Sequence, residues 1–126
     1  MATLLVADDH EDIRALLMSR LRKQGFAVKE ASSGRDVMNL LELETFDLVL
    51  MDMNMPEMDG WQTTSYIRSI ASFTKLPIIA LTAYALEGDR ARALQAGCNA
   101  FQCKPVNFEQ LLATIYSLLE AKTLAP

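Results

Sequence analysis

The chain is poor in the residues that build covalently or metal-stapled scaffolds. Among its 126 residues it has two cysteines, Cys98 and Cys103, and a single histidine, His10. Two thiols make no disulfide framework, and zinc normally wants four Cys/His ligands, so reduced structural thiols are expected. Basic charge is also short: 12 Lys and Arg stand against 16 Asp and Glu, a net charge of −4. An acidic surface repels phosphate backbones, which speaks against direct binding of nucleic acid. No apolar run approaches the roughly 18 residues of a membrane span, and Met1-Ala2-Thr3 leads straight into folded-looking sequence without a leader pattern. The expected location is cytoplasmic, with no membrane partner. There is no repeat, low-complexity stretch or linker either.

What remains is an ordinary globule, 51% hydrophobic and 22% charged, of a length that allows one domain and one real core. Short apolar runs occur at Thr3–Ala7, Leu48–Met51 and Ile78–Leu81, and weaker, half-polar ones at Phe26–Ala31 and Ala100–Cys103. Helical patterns lie between them. Ile13, Leu16, Leu17 and Leu21 follow one face, closed by Gly25; Val37, Leu40 and Leu41 mark a second helix, with Ser33 as N-cap. Ile67, Ile70 and Ala71 mark a third after Asp59-Gly60, and a short fourth runs from about Glu87 to Ala96. The last carries Phe108, Leu111, Leu112, Ile115, Leu118 and Leu119, begun by Asn107. Alternating strand and helix predicts an α/β fold, a doubly wound five-stranded parallel sheet with helices on both faces. The strands without polar residues should be central and the half-polar ones edges, which the order 2-1-3-4-5 satisfies. In such a sheet ligands bind at the carboxyl ends of the strands.

Four strands run there into residues capable of chemistry: Asp8-Asp9, Asp52, Thr82 and Lys104-Pro105. Three carboxylates gathered at one edge repel one another, at an effective dielectric near 20 by roughly 4 kcal/mol per pair at about 4 Å. A hard divalent cation removes that cost, and Mg²⁺ takes few carboxylates while keeping several waters. A carboxylate beside the metal can attack phosphorus to form an aspartyl phosphate. Lys104 and Thr82 would then steady charge on the transferring phosphoryl oxygens.

Together LLVADD, DLVLMDMNMPEMDG, ALTA and CKP resemble the receiver domain of two-component response regulators, of the chemotaxis-regulator type, over about residues 3–121. The resemblance implies a phosphoacceptor switch that takes a phosphoryl group from a histidine kinase or a histidine phosphotransfer protein. Asp52 would be the phosphoacceptor. Asp9 would bind Mg²⁺ directly, Asp8 mostly through water, and Asp52 and the backbone carbonyl of Asn54 would complete the protein ligands. Thr82 would hydrogen-bond the phosphoryl group and move inward on activation, Phe101 would be the switch aromatic, and Lys104 would pair with a phosphoryl oxygen. The Lys104–Pro105 peptide would be cis. Asn54 and Tyr84 would tune the lifetime of the phospho-form, Asn54 by orienting water and Tyr84 by shielding the phosphoryl group. Output would pass to a protein target through the face made by the fourth helix, fifth strand and fifth helix.

Such a protein turns over no substrate beyond its own phosphorylation and dephosphorylation. A phosphohydrolase of the haloacid-dehalogenase type fits less well: Asn54 replaces the second acid of its motif, and the nucleophile follows the third strand. A flavin binder lacks its Ser/Thr/Gly-rich phosphate loop after the first strand, and a receiver that only docks would not need every acidic, hydroxyl and lysine position. Only about five residues, Lys122–Pro126, are expected to follow the last helix, so residues 1–126 are expected to form a single domain with no effector; ALTAYALEGDRARALQAG also looks like receivers of hybrid sensor kinases. Met53, Met55 and Met58 are expected to pack the loop after Asp52, Trp61 to pack, and Arg90 and Arg92 to form a solvated face. His10, on the rim, is either a partner contact or a solvated first-turn histidine.

Overall fold

Runs rich in Leu, Val, Ile and Ala form the strands β1 (Thr3–Ala7), β2 (Ala27–Ala31), β3 (Leu48–Asp52), β4 (Ile78–Thr82) and β5 (Ala100–Cys103). The computed structural model describes residues 2–83 and 88–124, with side chains up to residue 121. The strands pair in parallel in the order β2-β1-β3-β4-β5. As their polarity predicts, β3 and β4 are buried along their whole length, while β2 and β5 are partly exposed. The crossovers are α1 (Glu11–Lys23), α2 (Gly34–Leu43), α3 (Gly60–Arg68), α4 (Asp89–Ala96) and α5 (Phe108–Leu124).

Successive side chains of a strand point to opposite faces, and the core divides accordingly. Leu5, Val49, Met51, Ile78 and Ala80 meet Val37 and Leu41 of α2, Trp61 and Ile67 of α3 and Ala93 of α4. Leu4, Val6, Leu48, Leu50, Ile79 and Leu81 meet Leu17, Met18 and Leu21 of α1 and Phe108, Leu111 and Ile115 of α5. Each fully buried side chain of this kind contributes about 1.5–3 kcal/mol relative to exposure.

Helix ends follow their local chemistry. The Ser33 hydroxyl accepts from Asp36 N at 3.1 Å and Asn107 Oδ1 from Gln110 N at 3.1 Å, covering two free helix-start N–H groups. Asp59 and Gln62 form a reciprocal capping box at α3. Gly25 and Gly97, at φ 94° and 114°, end α1 and α4 in the left-handed region that glycine enters at no steric cost.

Three expectations need correction. Leu17 and Leu21 of α1 are buried with Met18, but Ile13 is 37% and Leu16 61% exposed. Leu16 is turned about 100° from Leu17, and Ile13 lies in the first turn, beyond the sheet's carboxyl edge. The third helix stops at Arg68, before Ile70 and Ala71, and Ala71–Phe73 form a 3-10 turn. Arg68 holds that turn: its guanidinium donates to Phe73 O (2.7 Å), Gly97 O (2.9 Å) and Asn99 Oδ1 (3.0 Å), and Asn99 Oδ1 also accepts from Ile78 N (2.9 Å). Arg92 is not merely solvated, because its guanidinium lies 4.2 Å from the ring centroid of the buried Trp61. The fourth helix begins at Asp89; Glu87 lies outside the described residues.

Candidate functional site

Register brings the four strand ends together. Ala7 pairs with Met51, Asp52 with Leu81 and Thr82 with Cys103, so Asp8, Asp9, Asp52, Thr82 and Lys104 emerge at the same edge. Asp8, Asp52 and Thr82 are each at most 1% exposed. A buried carboxylate is tolerable only with partners. Asp8 has them on both oxygens: Oδ1 accepts from His10 N at 2.8 Å and Oδ2 from Lys104 Nζ at 2.7 Å. Arg14 Nη1 donates to the Asp8 carbonyl at 2.8 Å and fixes the backbone there.

Asp52 is less complete. Its Oδ1 accepts from Asn54 N at 3.0 Å, but Oδ2 faces Lys104 Nζ at 3.6 Å and has no hydrogen bond among the described residues. Burial raises its pKa above the usual carboxylate range; the Asn54 N–H and the Lys104 charge oppose that rise, and Asp8 and Asp9 reinforce it. Asp9 Oδ1 is likewise buried without a hydrogen bond among the described residues, with His10 Nδ1 at 3.2 Å. The Thr82 hydroxyl donates to Asn54 Oδ1 at 2.8 Å, so the Asn54 carboxamide bridges the β3 and β4 ends.

These orphaned oxygens are what a hard cation needs. Asp8, Asp9, His10 and Asp52 each offer a ligand atom, and all four atoms lie within 4.8 Å of one another. The free lone pairs are on Asp9 and Asp52, while Asp8 is already engaged. That donor set fits Mg²⁺, which takes oxygen ligands and retains water.

The other expected site residues stand around this centre. The Lys104–Pro105 peptide is cis. Phe101 is half-buried on β5 against the α2–α3–α4 side of the core. Met53 and Met55 are buried in the loop that carries Asp52. Tyr84 lies outside the described residues. Two contributors escaped the sequence reading. Arg14 gives no motif signal, since a basic residue in an early helix turn reads as a solvated face. The Asn54 bridge to Thr82 depends on a side-chain direction that spacing does not encode.

The family model of the response regulator receiver domain matches residues 4–116. The sensor histidine kinase RcsC of Escherichia coli is 38% identical over 112 residues, 89% of this chain; the chain spans 12% of the length of that kinase. The polar-differentiation response regulator DivK of Brucella ovis is 30% identical over 117 residues, covering 93% of this chain and 95% of DivK. Among solved structures, the response regulator TrrA of Thermotoga maritima in complex with Mg²⁺ and BeF superposes with a TM-score of 0.84 at 28% identity, over 94% of this chain and 99% of that one. With the sheet order, the strand-end acids and the lysine that follows β5 already in place, this match from first strand to last helix makes the chain a member of the response regulator receiver domain family.

Proposed function

We propose that Asp52 is the phosphoacceptor of a phosphorelay and that its phosphorylation changes the protein contacts of the α4–β5–α5 face. The observation that carries this is Asp52 Oδ2: buried, without a hydrogen bond among the described residues, and facing an ammonium group at the open edge of the sheet. Asp9, Asp52 and the Asn54 carbonyl would hold Mg²⁺, with Asp8 acting through water, and the ion would supply positive charge beside the phosphoryl oxygens. Asp52 forms the new O–P bond as the donor histidine's N–P bond breaks, and the histidine nitrogen keeps the bonding pair. Lys104 leaves Asp8 to pair with a phosphoryl oxygen, and the Thr82 hydroxyl leaves Asn54 to donate to another. Both groups are already at hand, so transfer needs only short side-chain rotations.

Receivers work with histidine kinases and downstream targets and are generally not turnover enzymes. For this chain, the phosphodonor protein docks over a groove of ≈ 220 Å³ lined by Ile13, Leu16, Arg20, Lys104 and Val106. Exposed Ile13 and Leu16 give that rim an apolar contact surface next to Lys104. The downstream target meets the opposite rim, where Arg90, Leu94, Phe101 and Gln102 line a shallow depression. Among the described residues no helix is long and apolar enough to cross a membrane.

Incubation with a small acyl phosphate and Mg²⁺ should add one phosphoryl group by intact mass. Asp52→Asn, or chelation of the metal, should abolish the addition. Labelling of Asp52→Asn at the wild-type rate would end the assignment.

A further inference from the structure

His10 is the chain's only histidine, and its ring turns toward the acids. Nδ1 lies 3.2 Å from Asp9 Oδ1 and 3.3 Å from Asp8 Oδ1, although 64% of the side-chain surface remains open. Its backbone is held at both ends: the N–H donates to Asp8 Oδ1 at 2.8 Å, and the carbonyl accepts from Arg14 N at 3.0 Å to start α1. The ring therefore hangs over the site from a fixed point. Two ligand atoms at about 2.1 Å from one ion, set at right angles, stand about 3 Å apart. The Nδ1 to Asp9 Oδ1 spacing matches that geometry. Asp9 Oδ1 and Asp52 Oδ2 are both buried and without hydrogen bonds among the described residues, and each of the two carboxylates has an oxygen within 4.8 Å of a His10 ring nitrogen.

We propose that His10 Nδ1 is a nitrogen ligand of this site, so that the receiver binds a transition divalent ion through Asp9, Asp52 and His10 in competition with Mg²⁺. The inference rests on Asp9 and Asp52 being cation ligands. Its chemical basis is the donor set: imidazole adds little for Mg²⁺, which prefers oxygen and retained water, but much for Co²⁺, Ni²⁺ or Zn²⁺. A receiver bearing His10 therefore discriminates among divalent ions in a way that an all-oxygen site does not.

The test uses the untagged full chain, with Co²⁺ and Mg²⁺ as separate probes, in wild type, His10→Ala and His10→Gln. Calorimetric titration should show Co²⁺ affinity falling about tenfold or more in both variants, with Mg²⁺ affinity changing less than about twofold. Proton spectra of the Co²⁺ form should contain strongly shifted imidazole resonances, which can come only from His10. Equal losses for both ions, or no loss for either, would overturn the ligand and leave His10 an ion-pair partner of the acids. Co²⁺ bound through His10 with no Mg²⁺ binding at all would instead overturn the Mg²⁺ reading and leave the nitrogen ligand standing. A chain that binds neither ion overturns both.

Discussion

Thr82 carries its hydroxyl on the Asn54 carboxamide at 2.8 Å, one side chain away from the carboxylate it is proposed to serve. That bond gives the hydroxyl a defined starting position and a partner to abandon. A phosphoryl group can shift the population only by interacting differently with the two positions, and in the proposed switch this hydroxyl would supply the difference. Thr82→Ala should therefore still take one phosphoryl group on Asp52, by intact mass. Its amide shifts around Phe101 on phosphorylation should shrink to a small fraction of those of wild type. Full-size shifts would mean that the signal reaches β5 by another route.

At the scale of elements, α3 shows how local chemistry fixes the frame of the site. Gln62 N donates to Asp59 Oδ1 at 2.9 Å and Asp59 N to Gln62 Oε1 at 3.3 Å. The helix thus begins one turn after the Asp52 loop. Next in the chain, Gly60 lets α3 approach closely: a Cβ there would stand 2.6 Å from Asp52 O and Met53 Cα. Asp59→Ala removes the cap and should lower unfolding free energy by about 1 kcal/mol in urea denaturation. An unchanged midpoint would show the cap to be redundant with the packing beneath it.

The same element marks the limit of what the sequence discloses. Its start was legible because Asp59-Gly60 is a local signal. Its end was not, because Arg68 ends it through carbonyls at Phe73 and Gly97, contacts set by the tertiary fold. Ile13 and Leu16 have helical spacing, but burial depends on whether a strand lies beneath them. Glu57 adopts φ 62° in the loop before α3 without the glycine or asparagine that would announce a left-handed residue. The site acids were legible for a different reason: strand order sets which chain ends meet, and polarity along the strands reveals that order.

For the whole molecule, the acidic centre trades stability for reactivity. Burial holds the Asp52 carboxyl above its ordinary range. Between the unfolded pKa and that raised value, the folded chain keeps a proton that the unfolded chain has released, so stability falls as pH rises through the window. Above the window the loss is complete, about 1.4 kcal/mol for each unit of elevation. With a chelator present, Asp52→Asn should melt above wild type at about pH 7, and the gap should close toward about pH 3, where the acid is neutral in both states. A gap that widens on acidification would mean that the Lys104 attraction outweighs burial. The outer surface offers a separate test. Leu16→Glu places charge on the rim proposed to receive the phosphodonor protein. It should slow phosphotransfer from that protein about tenfold while leaving labelling by a small acyl phosphate unchanged, the size expected if Leu16 is among the minority of contact residues whose loss costs more than about 1 kcal/mol. Equal slowing with both donors would relocate the defect to Asp52 itself.

The Arg68 guanidinium grips Gly97 O, just past the C-terminal end of α4, and the side-chain Oδ1 of Asn99 beyond it. A rigid rod clamped at one end has a fulcrum there. With eight residues α4 is about 12 Å long, so a tilt of about 15° about Gly97 displaces its first turn by roughly 3 Å. A tilt about this clamp therefore displaces the surface of α4 most at its first turn and least beside Gly97.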